Sequence, residues 1–573
     1  MVSKARIAVP YAVADYADLK ERGFYYVDKT HFIPELEMYN APVFLRPRRF
    51  GKSLLISTLA YYYDRTEAYR FKDLFGDTYI GQHPTSEQGQ YMIIRYNFSN
   101  MEIGKDMDDM EKNFNNFHHG SVRVMVTHNR ELFKGFQFSN EGNATVMLAD
   151  VIRFVKENNL PKIYILIDEY DNFANQLLVS FKDPLYEDLT TKDSFFRNFF
   201  KTIKAGIDGG QVRSCFCTGV LPATMDDLTS GYNIAEMITL EPSFVEMLGF
   251  NHDEASKYLD YVLKTYDQEG HTHDELWSML VNNYNGYRFL PDARPLFNST
   301  ILTYFFKKFA VNKGMIPEEM IDENLRTDVS WLHRLTQTQD NMEELLNALL
   351  IKDELIYSQP DLRSKFNKKK FFEKTFYPIS LYYLGMTTIA DKFVMKLPNL
   401  TVRSIYVDFY NDEHKIEGDA KLYVPAFKKF TDDHQFEGVI DNYFEAYLGQ
   451  FPAQVFDKLN ENFIRCSFFE LCSRYLSPWF TFSIEQNHAS GRSDFVMTGI
   501  RGGDFNNDCR VVEFKYFKAT EAKKVEAMTE PRAEDVAQVQ GYAKDINAQF
   551  PYYKMTQYVV YIAAGKVCRR WKV

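Results

Sequence analysis

Three side chains near the C-terminus have the types and spacing needed to cut a phosphodiester. Asp494 opens one strand-like run, SDFVMTG (493–499), after a Gly-Arg turn; Glu513 and Lys515 sit on the next, CRVVEFKYF (509–517). Alternation along a strand puts Glu513 and Lys515 on one face and Phe514 on the other. Asp494 and Glu513, with the Phe514 carbonyl, then offer an oxygen-rich site suited to Mg²⁺ or Mn²⁺. Lys515 would orient and polarise the attacking water, while the metal lowers the pKa of that water. Glu485, one strand earlier on FTFSIEQ (480–486), is a further candidate metal ligand. Gln538 and Tyr542 are four apart on a helix expected over about 531–547, so they share one face, and Gln540 points elsewhere. The competing reading is an exposed meander in which Glu513 and Lys515 form a same-face ion pair of little worth. Two charges inside an otherwise apolar run argue against it, because burying them is costly unless something pairs with them.

A second constellation lies near the N-terminus. FLRPRRFGKSLL places Gly51, Lys52 and Ser53 between a strand (PVFLR, 42–46) and a helix running from Gly51 to about Tyr63. Backbone N–H groups at such a helix start can cradle phosphate, with Lys52 reaching the β/γ-phosphates and Ser53 ligating Mg²⁺. Arg46 stands where the full phosphate-loop pattern has glycine. The partner segment is KIYILIDEYDNF, an apolar strand ending in Asp168 and Glu169. Asp168 would hold Mg²⁺ through water and Glu169 would orient or deprotonate the attacking water. A lone Asp-Glu after a strand is also a helix cap or a solvated turn; the two motifs together favour ATP as ligand.

The elements that must position these groups follow from periodicity. Strand-like runs at 91–99, 162–168 and 211–219 alternate with helix candidates at 147–158 and 193–206, which predicts an α/β fold with a parallel sheet. Residues 243–350 read as mostly helical. A Lys-rich stretch (363–374) is expected to be a solvated face rather than a nucleic-acid contact, and a small mixed segment follows at 377–402. The C-terminal part combines a helix candidate at 454–476, the strand-like runs above and a last strand at 557–563. Three regions result: 1–242 a nucleotide-binding domain, 243–400 a helical lid and connecting segment, and 401–573 a nuclease-like domain with a helical lead-in. With no repeat or low-complexity linker, the domains are expected to pack closely.

Bulk composition narrows the class. The 573 residues carry 45% apolar and 25% charged side chains, an ordinary globular balance. A net charge of -11 argues against coating nucleic acid along the whole surface but leaves room for a local basic groove. Aromatic residues reach 16%, and most of those rings must be packing rather than base stacking. The six cysteines have no zinc spacing and read as reduced, buried thiols; Cys215 and Cys217 are expected to point to opposite faces of their strand. No apolar stretch is long enough to cross a bilayer and the N-terminus lacks a signal-peptide core, so a cytoplasmic protein is expected, with no membrane partner.

The motifs YYVDKT (25–30), FLRPRRFGKSLL (44–55), LIDEYD (166–171), TGVLPAT (218–224), NGYRF (285–289), LGMTT and LPNLTV (384–402) resemble the AAA-ATPase-like family, whose members commonly carry a C-terminal PD-(D/E)XK nuclease domain. In that family RPRRFGKS is the usual phosphate loop. The resemblance implies that Asp28, Lys29 and Thr30 lie near the nucleotide and that Thr218 follows the sensor strand. Arg48, Arg49 and Arg213 are candidates for an arginine finger, with Arg49 counted among the nucleotide contacts. FNST (297–300) departs from the family's Asn-Pro. The Gln538/Tyr542 spacing looks like the helix motif of RecB-like nucleases, where the pair supports the metal site or the DNA backbone. The expected activity is ATP hydrolysis coupled to metal-dependent cleavage of nucleic acid, with resemblance pointing to DNA and to defence or mobile-element biology. A homo-oligomer is compatible with that reading. The rivals are a regulatory NTPase whose C-terminal domain binds nucleic acid without cutting, and a scaffold with both sites vestigial.

Overall fold

The computed structural model describes residues 7–191, 193–228, 231–317, 320, 329–336 and 339–573. Parts of the helical expectation for 243–350 fall outside these residues. The chain forms two compact units, each assembled from three stretches. The first unit takes the chain up to Ala255, Tyr287–Thr303 and Ile356–Met395; the second takes Ser256–Gly286, Tyr304–Leu355 and Lys396–Val573.

The first unit is built on five parallel strands: β1 (Pro42–Leu45), β2 (Met92–Asn97), β3 (Ile163–Asp168), β4 (Val212–Gly219) and β5 (Glu236–Met237), in the order β2-β3-β4-β1-β5. β3 is buried at every position, as a parallel strand covered on both faces must be. The crossovers include α1 (Lys52–Tyr63), α2 (Met107–His128), α3 (Ala144–Glu157) and α4 (Phe195–Asp208). Because the strands are parallel, the loops after β1, β3 and β4 leave from one edge, where such sheets bind ligands. The register sets Leu45 beside Gly219 and Asn97 beside Asp168.

Cys215 and Cys217 do not point to opposite faces. Residues two apart on a strand share a face, and their sulfurs lie 3.7 Å apart in the core. The Lys-rich stretch is only partly solvated. Lys368 pairs with Asp183 and Glu187, and the backbone N–H groups of Phe366 and Lys368 donate to Asp226 and Asp227. The run is thereby stitched to acidic groups that follow β3 and β4.

The second unit's sheet contains β6 (Phe480–His488), β7 (Gly491–Gly499), β8 (Asp508–Phe517), β9 (Lys554–Ala563) and β10 (Val567–Lys572), in the order β10-β9-β8-β7-β6. Only β8 and β9 pair in parallel, joined by a crossover carrying α7 (Ala533–Gln549). Cys509, Val511 and Phe517 of β8, with Val496 of β7, pack under Val539 and Tyr542 of α7. Phe514 faces the other way and meets Phe468 of α6 (Glu461–Leu476). The expected helix at 454–476 thus starts seven residues late, capped by the Asn460 side chain on the Phe463 N–H. Against α6 packs α5 (Leu400–Glu413), which brings the buried Arg403 to the Cys466 thiol.

Candidate active sites

At the carboxyl edge of the first sheet, β1 passes into α1 through a loop whose Arg49 and Gly51 adopt positive φ, 70° and 95°. Leu248 and Ser299 close on Gly51, whose left-handed backbone disfavours a side chain. Lys52 is buried and donates to the carbonyls of Arg46 and Pro47, both at 2.9 Å. Burial lowers its pKa against the opposing pull of Glu169 and Asp168. Ser53 follows, half-buried, at the second position of α1. Asp168 ends β3 with one carboxylate oxygen accepting from Thr218 at 2.8 Å and the other buried with no hydrogen-bond partner. Glu169 is held in the left-handed region (φ 53°), and burial raises its carboxyl despite Lys52. Lys52, Asp168, Glu169 and Thr218 are therefore brought together, and the orphaned oxygen of Asp168 fits a bound, hydrated Mg²⁺.

In the second unit, Asp494 of β7 and Glu513 and Lys515 of β8 converge. Lys515 donates to Glu513 at 2.7 Å, while the second oxygen of Glu513, buried, has no partner. Burial and the Asp494 charge push the Glu513 carboxyl up to about 8. Asp494 accepts the Phe514 N–H at 2.8 Å. Its other oxygen accepts from Arg465 of α6 at 2.7 Å, and the same guanidinium reaches Glu485 at 2.6 Å. Arg492 also pairs with Glu485, and although burial opposes it, the field of Arg403, Arg465, Arg492 and Lys396 keeps this carboxyl below its usual range. Glu513 and Asp494 fit a hard divalent cation, one by its orphaned oxygen and one by its nearby charge. Glu485 fits less well, since arginines already satisfy it. Among the described residues no group of three or more His, Cys, Asp and Glu is arranged to hold a metal.

On α7, the Gln538 amide donates to the Tyr542 hydroxyl, and the fields of Glu513 and Asp494 raise the already desolvated phenol. Gln540 is exposed. The tyrosine ring lies so close to the backbone of Gly491 (φ 138°) that a Cβ there would sit 3.2 Å from it. That close approach explains the Gly-Arg turn before Asp494.

Two independent matches now bear on these folds. Residues 10–229 match a family model described as a predicted AAA-ATPase, and residues 459–572 match one for the PD-(D/E)XK nuclease superfamily. The chain carries an AAA-ATPase-like domain and a PD-(D/E)XK nuclease superfamily domain. A curated relative, an uncharacterized protein in the vnfD 5' region of Azotobacter chroococcum mcd 1, is 25% identical over 312 residues. That match covers 53% of this chain and 52% of the relative, so the chain spans about half the length of the curated relative it matches. Among the described residues, no helix is long and apolar enough to cross a membrane.

Several residues of the first unit also have structural partners that the motifs alone did not announce. Lys29 donates to Glu254 and to the Glu246 carbonyl, and Asp28 accepts from the Thr30 and Tyr79 N–H groups, so these side chains brace the fold. Arg213 lies at the start of β4, the far end from Thr218, where it pairs with Glu87 at 2.7 Å. It is not a candidate finger for the phosphate edge of its own sheet. Arg46 turns away from the phosphate loop. Its guanidinium donates to the carbonyls of Leu45, Thr239 and Val245 and stacks on Phe44 and Phe289. FNST supplies loop support without the Asn-Pro: Asn298 donates to the Arg48 carbonyl, and the Thr300 N–H to that of Arg49.

Four site-related residues were not among those expected. Asp171, the last acid of LIDEYD, is fully buried and accepts from the N–H groups of Val220 and Leu221 and from Asn175. In the nuclease superfamily domain, Glu461 at the start of α6 stands 4.0 Å from Lys515 and accepts the Tyr516 N–H. Arg465 bridges the two acids, and Arg403 backs Glu485. A third acid in one strand-end motif was a visible signal for Asp171; for the others only tertiary packing reveals the partner.

Proposed function

We propose that the chain is an ATP-regulated, Mg²⁺- or Mn²⁺-dependent nuclease acting on DNA. The observation that carries the reading is Glu513: a carboxylate 1% exposed, one oxygen on Lys515 and the other unpartnered, beside Asp494. A buried acceptor left without a donor is costly, and a divalent cation is the ligand that relieves it. Asp494 and Glu513 would hold that cation, whose chemistry is to make water acidic and to neutralise charge on phosphate. Lys515, held by Glu513, orients the attacking water; although burial opposes them, its hydrogen bond to Glu513 and the neighbouring Glu461 and Asp494 hold its ammonium above the ordinary range. Gln538 and Tyr542 steady the wall opposite. In the first unit, Lys52 and the N–H groups at the start of α1 bind the ATP phosphates, with Arg49 and Thr218 at the margin. Ser53 and Asp168 would hold Mg²⁺, and Glu169 positions the water.

One observation favours the rival in which the C-terminal domain binds without cutting: Arg465 already occupies Asp494 and Glu485. The deciding experiment is a cleavage assay on single- and double-stranded DNA and RNA, with Mg²⁺ or Mn²⁺, with and without ATP. Wild type is run beside Lys515→Ala and Lys52→Ala. Metal-dependent cutting that disappears in Lys515→Ala supports the nuclease, and its dependence on Lys52 supports control by ATP. ATP turnover with no cleavage of any substrate would leave the regulatory NTPase.

A further inference from the structure

A cleft of about 540 Å³ opens beside Glu485 in the second unit. Its wall includes Glu461, Arg465 and Arg492 from the nuclease superfamily span, but also Lys352, Asp353 and Lys396, which lie outside both matched spans. The charges on this wall divide into two sets. The inner ones are committed: Arg465 to Glu485 and Asp494, and Asp353 to the buried Arg403 at 2.9 Å. The outer ones, Lys352, Lys396, Arg492 and the acid Glu354, face water. Lys352 and Lys396 are exposed, and neither forms an ion pair among the described residues. Arg492 touches Glu485, yet its side chain remains 54% exposed.

A single solvated lysine means nothing by itself. Two exposed lysines without ion pairs and a half-exposed arginine, set against one exposed acid, Glu354, leave this rim with a surplus of positive charge in a chain of net charge -11. We propose that Lys352, Lys396 and Arg492 seat the backbone phosphates of a single nucleic-acid strand leading toward Asp494 and Glu513. The middle of the chain then supplies part of the nuclease's substrate-binding surface, an inference that rests on the nuclease reading above. A cleft of this size has room for about one or two nucleotides, so the part of the strand that enters it is unpaired. Tyr516 lines the same cleft and offers a ring on which a base can stack.

The test is binding of the full chain to fluorescein-labelled oligonucleotides, single-stranded DNA, single-stranded RNA and blunt duplex, followed by anisotropy across a salt series in Ca²⁺. Wild type is compared with K352A/K396A and with K428A/K429A, a charge-matched pair on a helix that does not line the cleft. The expected result is tighter binding of single strands than of blunt duplex. K352A/K396A should lose about 10-fold in affinity and flatten the log K against log salt slope by ~1.4, about 0.7 for each lost phosphate contact. ATP turnover should be unchanged. An unchanged slope in K352A/K396A, an equal loss in K428A/K429A, or a preference for blunt duplex would overturn the strand path alone. Wild type that binds no nucleic acid at all would overturn the nuclease reading with it.

Discussion

Glu513 and Lys52 are each buried ionisable groups with one role in the fold and another in the proposed chemistry, and both make measurable predictions. The Glu513 carboxyl sits at about 8 against an ordinary 4.5. In metal-free protein the folded state therefore keeps a proton that the unfolded chain loses, and stability falls as pH rises from about 4.5 to about 8. Thermal melts in chelator should show wild type losing ground to Glu513→Gln across that window, and parallel curves would refute the buried, protonated carboxyl. Mg²⁺ or Mn²⁺ binding near neutral pH should likewise release a proton in wild type and none in the variant, read by titration in buffers of different ionisation enthalpy. Lys52 is bonded to two carbonyls of its own loop. Lys52→Ala should reduce ATP turnover ~100-fold or more, the scale of losing one preorganised contact to developing charge, and should abolish the thermal shift that ATP produces. Retained turnover would place the phosphate site elsewhere.

At the scale of the element, what was legible depended on whether a residue's partner was close in sequence or brought in by packing. β8 could be read because two charges inside VVEFKYF have no cheap place to go, and period-2 alternation then fixes which face they share. β3 could be read because a strand covered on both sides must be apolar throughout. Arg465 could not: it is one basic residue in a helix whose docking against β7 sets its target 29 positions away. The same holds for Arg46, which looks like a damaged phosphate loop in the sequence and proves to be a carbonyl-capping strut. The Cys215 and Cys217 error was one of parity, not of packing. Asp171 tests the strut idea at the end of β4. Removing its carboxylate strands the N–H groups of Val220 and Leu221, so Asp171→Ala should cost about 3 kcal/mol. Denaturant titration would measure it, and a change below about 0.5 kcal/mol, the size of an ordinary surface substitution, would remove Asp171 from the fold's supports.

At the scale of the molecule, the matched nuclease span is tied to chain outside it. Asn460 and Asn462, at the head of α6, donate to the carbonyls of Ile351 and Leu350, and Arg403 of α5 reaches Cys466. Residues 459–573 expressed alone should therefore lack a cooperative melting transition and bind a hydrophobic dye, whereas the full chain should not. A sharp transition in the fragment would show that these ties are dispensable. Neither family span nor hydropathy hints at this, because the sequence between them carries no marker of which unit it will join.

Each unit is threaded from three stretches, and the chain passes between them five times. On a ribosome, the first unit lacks one of its stretches until Met395 has emerged, and the second lacks its sheet until the last strand has. A transcript cut short before the last strand would thus yield no complete second unit. The interleaving also leaves no single linker at which recombination could exchange one unit for another, so the two units are inherited, and lost, together.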